Sequence, residues 1–290
     1  MTDLSIIIVS YNTREPLRRT LESIRREGDD LRIQTIVVDN ASRDDSAAMI
    51  RDAFPEVILV EPGRNTWFTG GNNLGFAQAQ GEYTLILNPD TVIQPGTLQT
   101  LLAYLRKHPE VGAVTCQMRG LDHSLQRTCS QVPQFVDLLL GYTFLGAALP
   151  FWRARRRTQM WYEGWDRAST RAVEVIPDSC MMSPTSLLVR LKLFDETLRL
   201  YFTEDDICRR ILDAGYAVHF VAEAVILHEE HASTRLVQRL ASQVYFDDLI
   251  LFTRKWHGAL AALALRGLIA PTRVLMDAAQ WMRGERKSIG

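Results

Sequence analysis

Two carboxylates stand where apolar runs end. Asp39 follows Ile36-Val37-Val38 directly, and Asn88-Pro89-Asp90 follows Thr84-Leu85-Ile86-Leu87. A carboxylate at the mouth of a buried sheet can hold a divalent cation or accept from a nucleobase N–H. Either residue can equally do no more than cap a turn, as Asx side chains often do. The pattern occurs on two strands, with Gly70-Gly71-Asn72-Asn73 between them, and this recurrence favours a ligand site. The segment after the first apolar run reads Val9-Ser10-Tyr11-Asn12-Thr13. It lacks the glycines that let backbone meet a pyrophosphate in GxGxxG, which disfavours NAD or FAD. GxxxxGK[ST] is absent too, and a P-loop with it.

These residues need a scaffold. Strand-like runs occur at Leu4–Val9, Ile33–Val38, Val57–Val60, Tyr83–Leu87 and Val111–Thr115. Helical spacing links Leu17, Thr20, Leu21 and Ile24, with Pro16 suited to a first turn. Two further helices are expected from Ser46 to Phe54, and after Pro95-Gly96 through Leu98, Leu101, Leu102 and Leu105. Apolar strands alternating with helices predict an α/β fold with a mostly parallel central sheet and helices on both faces. Ligands of such sheets sit at the carboxyl ends of the strands. That rule singles out Ser10–Asn12, Asp39–Ser42, Arg64–Asn73 and Asn88–Asp90.

Residues 117–172 show no clear period. Regularity returns at Ala172–Ile176, Ser186–Arg190, a helix Glu204–Ala214 closed by Gly215, and a strand Tyr216–Val221. From Arg235 the chain reads as helical to its end, interrupted at Pro271.

With 290 residues, 47% apolar and 23% charged, the chain fits one large α/β domain, alone or with an appendage. Lys+Arg (33) and Asp+Glu (34) leave a net charge of −1, so no global field attracts nucleic acid. The four cysteines show no CxxC spacing, which argues against a zinc knuckle or a thioredoxin-type motif and fits a reduced, cytoplasmic protein. Leu4–Val9 is too short for a signal segment and reads as a buried strand.

Taken in chain order, the motifs resemble a known family. They are VSYN (9–12), VVDNAS (37–42), GGNNLGFAQAQGEY (70–83), LNPDT (87–91) with PG (95–96), TEDDICRRI (203–211), His228 and FTRKWHG (252–258). They are similar to the inverting glycosyltransferases of family 2, of GT-A fold, and most of all to the rhamnosyltransferase-like group of bacterial O-antigen and cell-wall assembly. The resemblance runs from residue 4 to about 258 and is weakest across 117–172. It implies one GT-A domain, with 1–116 as the nucleotide-sugar half and 117–234 as the acceptor and catalytic half. Residues 235–290 would be a helical extension.

The resemblance also implies roles. Asp39 would bind the base of a nucleoside-diphosphate sugar, with the backbone of Ser10, Tyr11 and Asn12 as pocket wall. Asp90 stands at the last position of the family's DxD-type motif, with Asn88 in place of the first Asp. Mg²⁺ or Mn²⁺ would sit there, with His228 as a further ligand. Arg64 and Asn65 would contact the diphosphate or the sugar, or Arg64 is only a solvated cation. Asn72 and Asn73 would hydrogen-bond the donor, or one of them caps the following helix. Inverting transfer needs a carboxylate base, supplied by Glu204 or Asp205 with a preference for Asp205. Asp206 reads as structural, since Thr203 and Asp206 fit a capping-box variant. Ser233 would approach the phosphates, in a loop that departs from the family's glycine-serine pattern.

Members of this group commonly use glycan or polyprenyl-linked acceptors. Leu138–Trp152 is an uncharged stretch followed by Arg153, Arg155, Arg156 and Arg157. It is too short to span a bilayer yet suited to an anionic headgroup boundary. Arg266, Arg273, Asp277 and Gly284 form a narrow polar stripe on an otherwise apolar C-terminal helix. Both segments can instead pack on the core or on a partner subunit, as in a homodimer. Two other functions remain open: a nucleotidyltransferase of related fold, and a non-catalytic binding subunit. The first wants a basic glycine-rich loop after strand one, and the second would tolerate loss of Asp39, Asp90, Glu204 and Asp205.

Overall fold

The computed structural model describes residues 2–27, 31–229 and 238–272, with backbone alone for 238–242. The uninterrupted Val/Ile/Leu runs form parallel strands buried on both faces. β1 (Leu4–Ser10) lies between β2 (Ile33–Asp39) and β4 (Tyr83–Leu87), and β3 (Ile58–Val60) extends that edge. On the other side of β4 follow β8 (Cys180–Pro184), β6 (Val111–Arg119) and β9 (Ala217–His228). Of these, β8 runs antiparallel to both its neighbours, while β6 and β9 are parallel to each other. The long β9 also pairs with β7 (Arg171–Val173) through its first half and with β5 (Thr91–Ile93) through its second. Among the described residues this makes one nine-stranded, mixed α/β sheet.

α1 (Arg14–Arg26) buries the predicted face of Leu17, Thr20, Leu21 and Ile24. α2 (Ser46–Ala53) and α4 (Thr97–Lys107) likewise follow the sequence pattern. α3 (Trp67–Phe76) contains the Gly70–Asn73 segment, so these residues are helix interior and neither Asn72 nor Asn73 is a cap. Its glycines let the helix lie flat on the sheet. A Cβ at Gly75 would stand 2.6 Å from Ile7 Cγ2, and one at Gly71 2.8 Å from Val9 Cγ1.

Residues 117–172 contain three helices: α5 (Phe135–Tyr142), α6 (Leu145–Ala148) and α7 (Pro150–Met160). Their organiser is Arg167, which is 1% exposed and has no carboxylate partner among the described residues. Its guanidinium donates to the carbonyls of Trp165 (2.6 Å), Trp161 (2.8 Å) and Thr128 (3.1 Å), and stacks on the Trp165 ring at 4.6 Å. Hydrogen bonds to loop carbonyls leave no periodic trace in a sequence.

Three further boundaries differ from expectation. The short strand β8 ends at Pro184, and α8 (Thr185–Leu191) takes up the Ser186–Arg190 segment. α9 (Thr203–Asp213) is followed by β9, which carries the expected Tyr216–Val221 strand on to His228. The C-terminal helices break at Gly258, whose φ of +90° ends α10 (Gln238–His257), and α11 (259–272) continues through Pro271. Arg273, Asp277 and Gly284 lie outside the described residues. α5, α10, α11 and the 195–202 loop share a second core that includes Leu138, Leu198, Phe202, Phe252 and Leu265.

Replacing Arg167 with Met leaves the carbonyls of Thr128, Trp161 and Trp165 without this donor and a fully buried site without its charge. Thermal or urea unfolding should show a loss of about 2–4 kcal/mol. A variant as stable as the parent would contradict this role for Arg167.

Candidate active site

The register of β1 and β2 pairs Ser10 with Asp39 at the carboxyl edge. Asp39 is 4% exposed; Oδ2 accepts the Ser42 N–H at 3.2 Å, while Oδ1 is buried without a partner. Burial, with Glu61 and Asp44 nearby, pushes its pKa above the usual carboxylate range, although the Ser42 bonds oppose this. Such an oxygen is suited to an incoming N–H donor. Around it the backbone is tied by its own side chains. Asn12, with φ +54°, accepts the Arg43 N–H at 2.7 Å, and its N–H donates to Ser42 Oγ at 2.9 Å. The Ser10 side chain is fully buried and bonded to Thr13 Oγ1, and its carbonyl accepts from Asn40. Ser10 therefore shapes this corner without presenting a group to a ligand. Tyr11 next to it is half-buried.

The 64–67 loop closes one side. Arg64 is exposed and has no ion-pair or hydrogen-bond partner among the described residues. Asn65 Oδ1 accepts the Trp67 N–H at 2.8 Å, an Asx turn. Asn40, buried at 2% exposure, bonds Thr66 and the Trp67 carbonyl and so ties this loop to β2. Asn72 Nδ2 donates to the Phe68 carbonyl, and its Oδ1 is buried and unpaired. Asn73 differs from the expectation of a donor contact. Both ends of its amide bind the Phe194 backbone, and Nδ2 also reaches Glu196, which locks α3 to the 194–196 segment.

The Asn88–Asp90 turn is held from below by α1, whose Thr20 hydroxyl lies 2.6 Å from the Thr91 carbonyl and 2.8 Å from that of Pro89. Asn88 N–H donates to the Ser179 carbonyl at 3.0 Å. Pairing of Thr91 with His228 brings the histidine beside the turn. His228 Nε2 lies 3.5 Å from Asp90 Oδ1, a buried oxygen without a hydrogen-bond partner, while Nδ1 is held by Gln126 at 3.1 Å. Ser233 and His231 lie outside the described residues.

Glu204, Asp205 and Asp206 begin α9 and go separate ways. Asp206 is 1% exposed and bound by Arg210 (2.8 Å), Lys255 (2.7 Å) and the Trp256 indole (2.9 Å). This is a structural clamp rather than a capping box. The N-cap is Phe202, with φ +60°, and the Thr203 hydroxyl turns instead to Asp178 Oδ2 at 2.5 Å. Glu204 and Asp205 line a cavity of about 370 Å³ whose other walls include Tyr142, Trp161, Tyr201 and Tyr245. Burial is the largest influence on both, and it pushes both pKa values up; for Asp205 the charges of Glu204, Asp178 and Asp206 add to it. Cys129 also lines the cavity, but burial pushes its thiol up to about 12, which makes it a poor nucleophile.

The structure thus has orphaned carboxylate oxygens at strand ends and an aromatic pocket whose lining includes Glu204 and Asp205. The model of Glycosyl transferase family 2 matches residues 5–161, just over half of the chain. The chain belongs to this family. It is 26% identical, over all of its length and 98% of the relative's, to an N-acetylglucosaminyl-diphospho-decaprenol L-rhamnosyltransferase of Mycobacterium tuberculosis. It is 25% identical to the rhamnosyltransferase WbbL of Escherichia coli K12, over 79% of this chain and 84% of that protein. Among solved structures, Staphylococcus aureus TarS 1–349 superposes with TM-score 0.54 at 16% identity, covering 88% of this chain and 73% of that one. GalNAc-T7 with UDP, GalNAc and Mn²⁺ superposes with TM-score 0.59 at 13% identity, covering 79% and 44%. These likenesses establish the GT-A fold, and family membership makes the chain a glycosyltransferase whose curated relatives include rhamnosyltransferases.

Sequence reading singled out Asp39–Ser42, which contains Asn40, but missed Gln126 and Asp178. Asp178 follows Pro177 in a turn before β8, and Gln126 sits in the irregular region. Neither position carries a periodic or motif signal; only the unrecognised strand β8 could have drawn attention to Asp178.

Asp206→Asn removes the charge that Arg210 and Lys255 share. The change should cost about 3 kcal/mol in thermal unfolding, because Arg210 loses its carboxylate and Lys255 keeps only Asp195. Unchanged stability would refute the clamp.

Proposed function

We propose that this glycosyltransferase moves a hexose, rhamnose in the first instance, from a nucleoside-diphosphate donor to a lipid-linked glycan by inverting single displacement. The observation that carries the reading is the pair of buried, unpaired carboxylate oxygens on Asp39, which ends β2, and Asp90, which follows β4, the two strands that flank β1. Asp39 Oδ1 would accept an imide N–H of uracil or thymine, which suits UDP or dTDP sugars. Tyr11 and the Asn12 backbone would flank the base, with Arg64, Asn65 and Asn72 on the diphosphate and sugar side.

Asp90 and His228 fit a divalent cation. One orphaned oxygen faces an imidazole nitrogen whose opposite nitrogen is already fixed by Gln126. The donor diphosphate would have to complete the ligand set, since no group of three or more His, Cys, Asp or Glu residues forms a metal site among the described residues. Mg²⁺ or Mn²⁺ held there supplies positive charge to a departing nucleoside diphosphate. A mixed oxygen–nitrogen pair favours Mn²⁺ over Mg²⁺.

On the acceptor side, Glu204 or Asp205 takes the proton of the attacking hydroxyl. Burial raises their proton affinity, which strengthens whichever is ionised as a base. Tyr142, Trp161 and Tyr201 offer ring faces to a sugar. The mycobacterial relative, named for a diphospho-decaprenol acceptor, supports a polyprenyl-linked acceptor here too.

Such an acceptor suits peripheral association with the cytoplasmic face of a membrane. No helix among the described residues is long and apolar enough to cross one. On α7, Phe151 is 72% and Trp152 53% exposed, and Arg153, Arg155 and Arg157 have no ion pair among the described residues. Arg156 is different: it binds Asp137 bidentately at 2.8 Å and fastens α7 to α5. Leu138 and Leu140 are core residues, so the apolar stretch is divided between core and surface.

A panel of UDP, dTDP and GDP sugars with Mn²⁺ or Mg²⁺, scored by nucleoside-diphosphate release, tests the activity. Asp90→Ala should reduce transfer at least about 100-fold, and of Glu204→Gln and Asp205→Asn at least one should do the same. Wild-type activity in all three would overturn the site. For the membrane, the protein should co-sediment with phosphatidylglycerol vesicles and not with phosphatidylcholine alone. Joint Arg153→Ala, Arg155→Ala and Arg157→Ala changes should weaken binding roughly 100-fold; full recovery of the parent in the supernatant would sink the idea.

A further inference from the structure

Asp178 has no part in the chemistry above, yet it occupies the junction of the two halves of the site. Its neighbour Ser179 receives the Asn88 N–H through its carbonyl at 3.0 Å, on the donor side. Its own Oδ2 receives the Thr203 hydroxyl at 2.5 Å, on the acceptor side. The same hydroxyl lies 3.2 Å from Glu204 Oε2. A hydroxyl has one proton, so it cannot serve both carboxylates when both are ionised. We propose that Asp178 is a positioning residue for the base, acting through the Thr203 hydroxyl on which it and Glu204 converge.

The surroundings make this a charge device as well as a tether. Facing Asp178 from α9 are Thr203, Glu204 and Asp205. Tyr142 of α5, Tyr245 of α10 and Arg127 line the adjoining cavity, while Asp206 is turned away into its clamp. No ion pair joins Asp178, Glu204 or Asp205 to a cation among the described residues. Burial first, and Glu204 second, push Asp178 up to about 8, and burial likewise raises Glu204 and Asp205. Asp178 thereby adds to the burial that raises the proton affinity of Asp205, and the Thr203 hydroxyl holds Glu204 at the start of α9.

The proposal rests on Glu204 or Asp205 being the base, so the test separates the two ideas. Transfer from dTDP-rhamnose to an N-acetylglucosaminyl-diphospho-polyprenol is measured across pH for the parent, Asp178→Asn, Thr203→Val and Thr203→Ser. Asp178→Asn keeps an oxygen for Thr203 and loses the charge; its acidic limb in kcat should move down by about one pH unit. Thr203→Val should lower kcat about tenfold with the donor KM unchanged, and Thr203→Ser should restore it.

Stability supplies a readout free of catalysis. A carboxylate whose folded pKa is raised costs nothing below its unfolded pKa and progressively more up to the folded one. The parent should therefore lose thermal stability between about pH 4 and pH 8, and Asp178→Asn should lose less. An acidic limb and a stability profile that do not move in Asp178→Asn, or a Thr203→Val enzyme with parental kcat, overturn the proposal while parental transfer leaves the glycosyltransferase reading standing. Absence of transfer by the parent would remove both.

Discussion

The placement of Glu204 and Asp205 at the start of α9 depends on one buried carboxylate beside them. Asp206 gathers Arg210 from its own helix and Lys255 and Trp256 from α10, all within 2.9 Å. That junction fixes the rotation of α9, and with it the direction in which Glu204 and Asp205 face. A second carboxylate reinforces it: Asp248 Oδ2 accepts the backbone N–H groups of Arg199, Leu200 and Tyr201 at 2.9–3.1 Å. Three N–H donors on one carboxylate oxygen make a charge-assisted cradle. The loop before the base is therefore held as firmly as a strand would be. The FTRKWHG segment earns its place in the family pattern through this clamp, far in sequence from anything it positions.

The same loop reaches the donor side. Phe68 N–H donates to the Arg199 carbonyl at 3.1 Å, and the Arg199 guanidinium lies 5.4 Å above the Trp67 ring. Asn73 adds its bonds to Phe194 and Glu196. A displacement of α3 on donor binding would therefore be felt at the 194–203 segment, and through Thr203 at the base. The two halves of the domain are joined by hydrogen bonds of fixed length, whereas apolar packing alone would allow slippage.

The parts legible in the sequence were those that follow a local rule. Continuous apolar runs gave β1, β2 and β4, and the carboxyl-edge rule then pointed to Asp39 and Asp90. Where the rule is not local, reading failed. β8 is five residues long and ends in Ser-Pro, too short and too polar to declare itself. The 117–172 region is ordered by Arg167 and a set of carbonyls, partners that are neither periodic nor adjacent. Asn73 was assigned to the donor because its motif suggested it, and its amide is spent on backbone 121 residues away. Asp178 sits in a turn with no pattern at all, although its charge acts on Asp205.

A net charge of −1 conveys none of this. Cations are plentiful, but the structure uses them at Asp206, Asp137 and Asp195, where they hold helices together. Asp39, Asp178, Glu204 and Asp205 have no ion pair among the described residues, and Asp90 meets only His228. An arginine beside any of them would relieve the desolvation and add stability, yet it would also occupy the place of a ligand. Leaving a buried oxygen unpaired costs about 1–3 kcal/mol. A fold that accepts this cost at both Asp39 and Asp90, along one edge of its sheet, suits completion from outside. On the reading proposed above, an N–H donor would complete Asp39, a cation Asp90, and a proton from the acceptor Glu204 or Asp205.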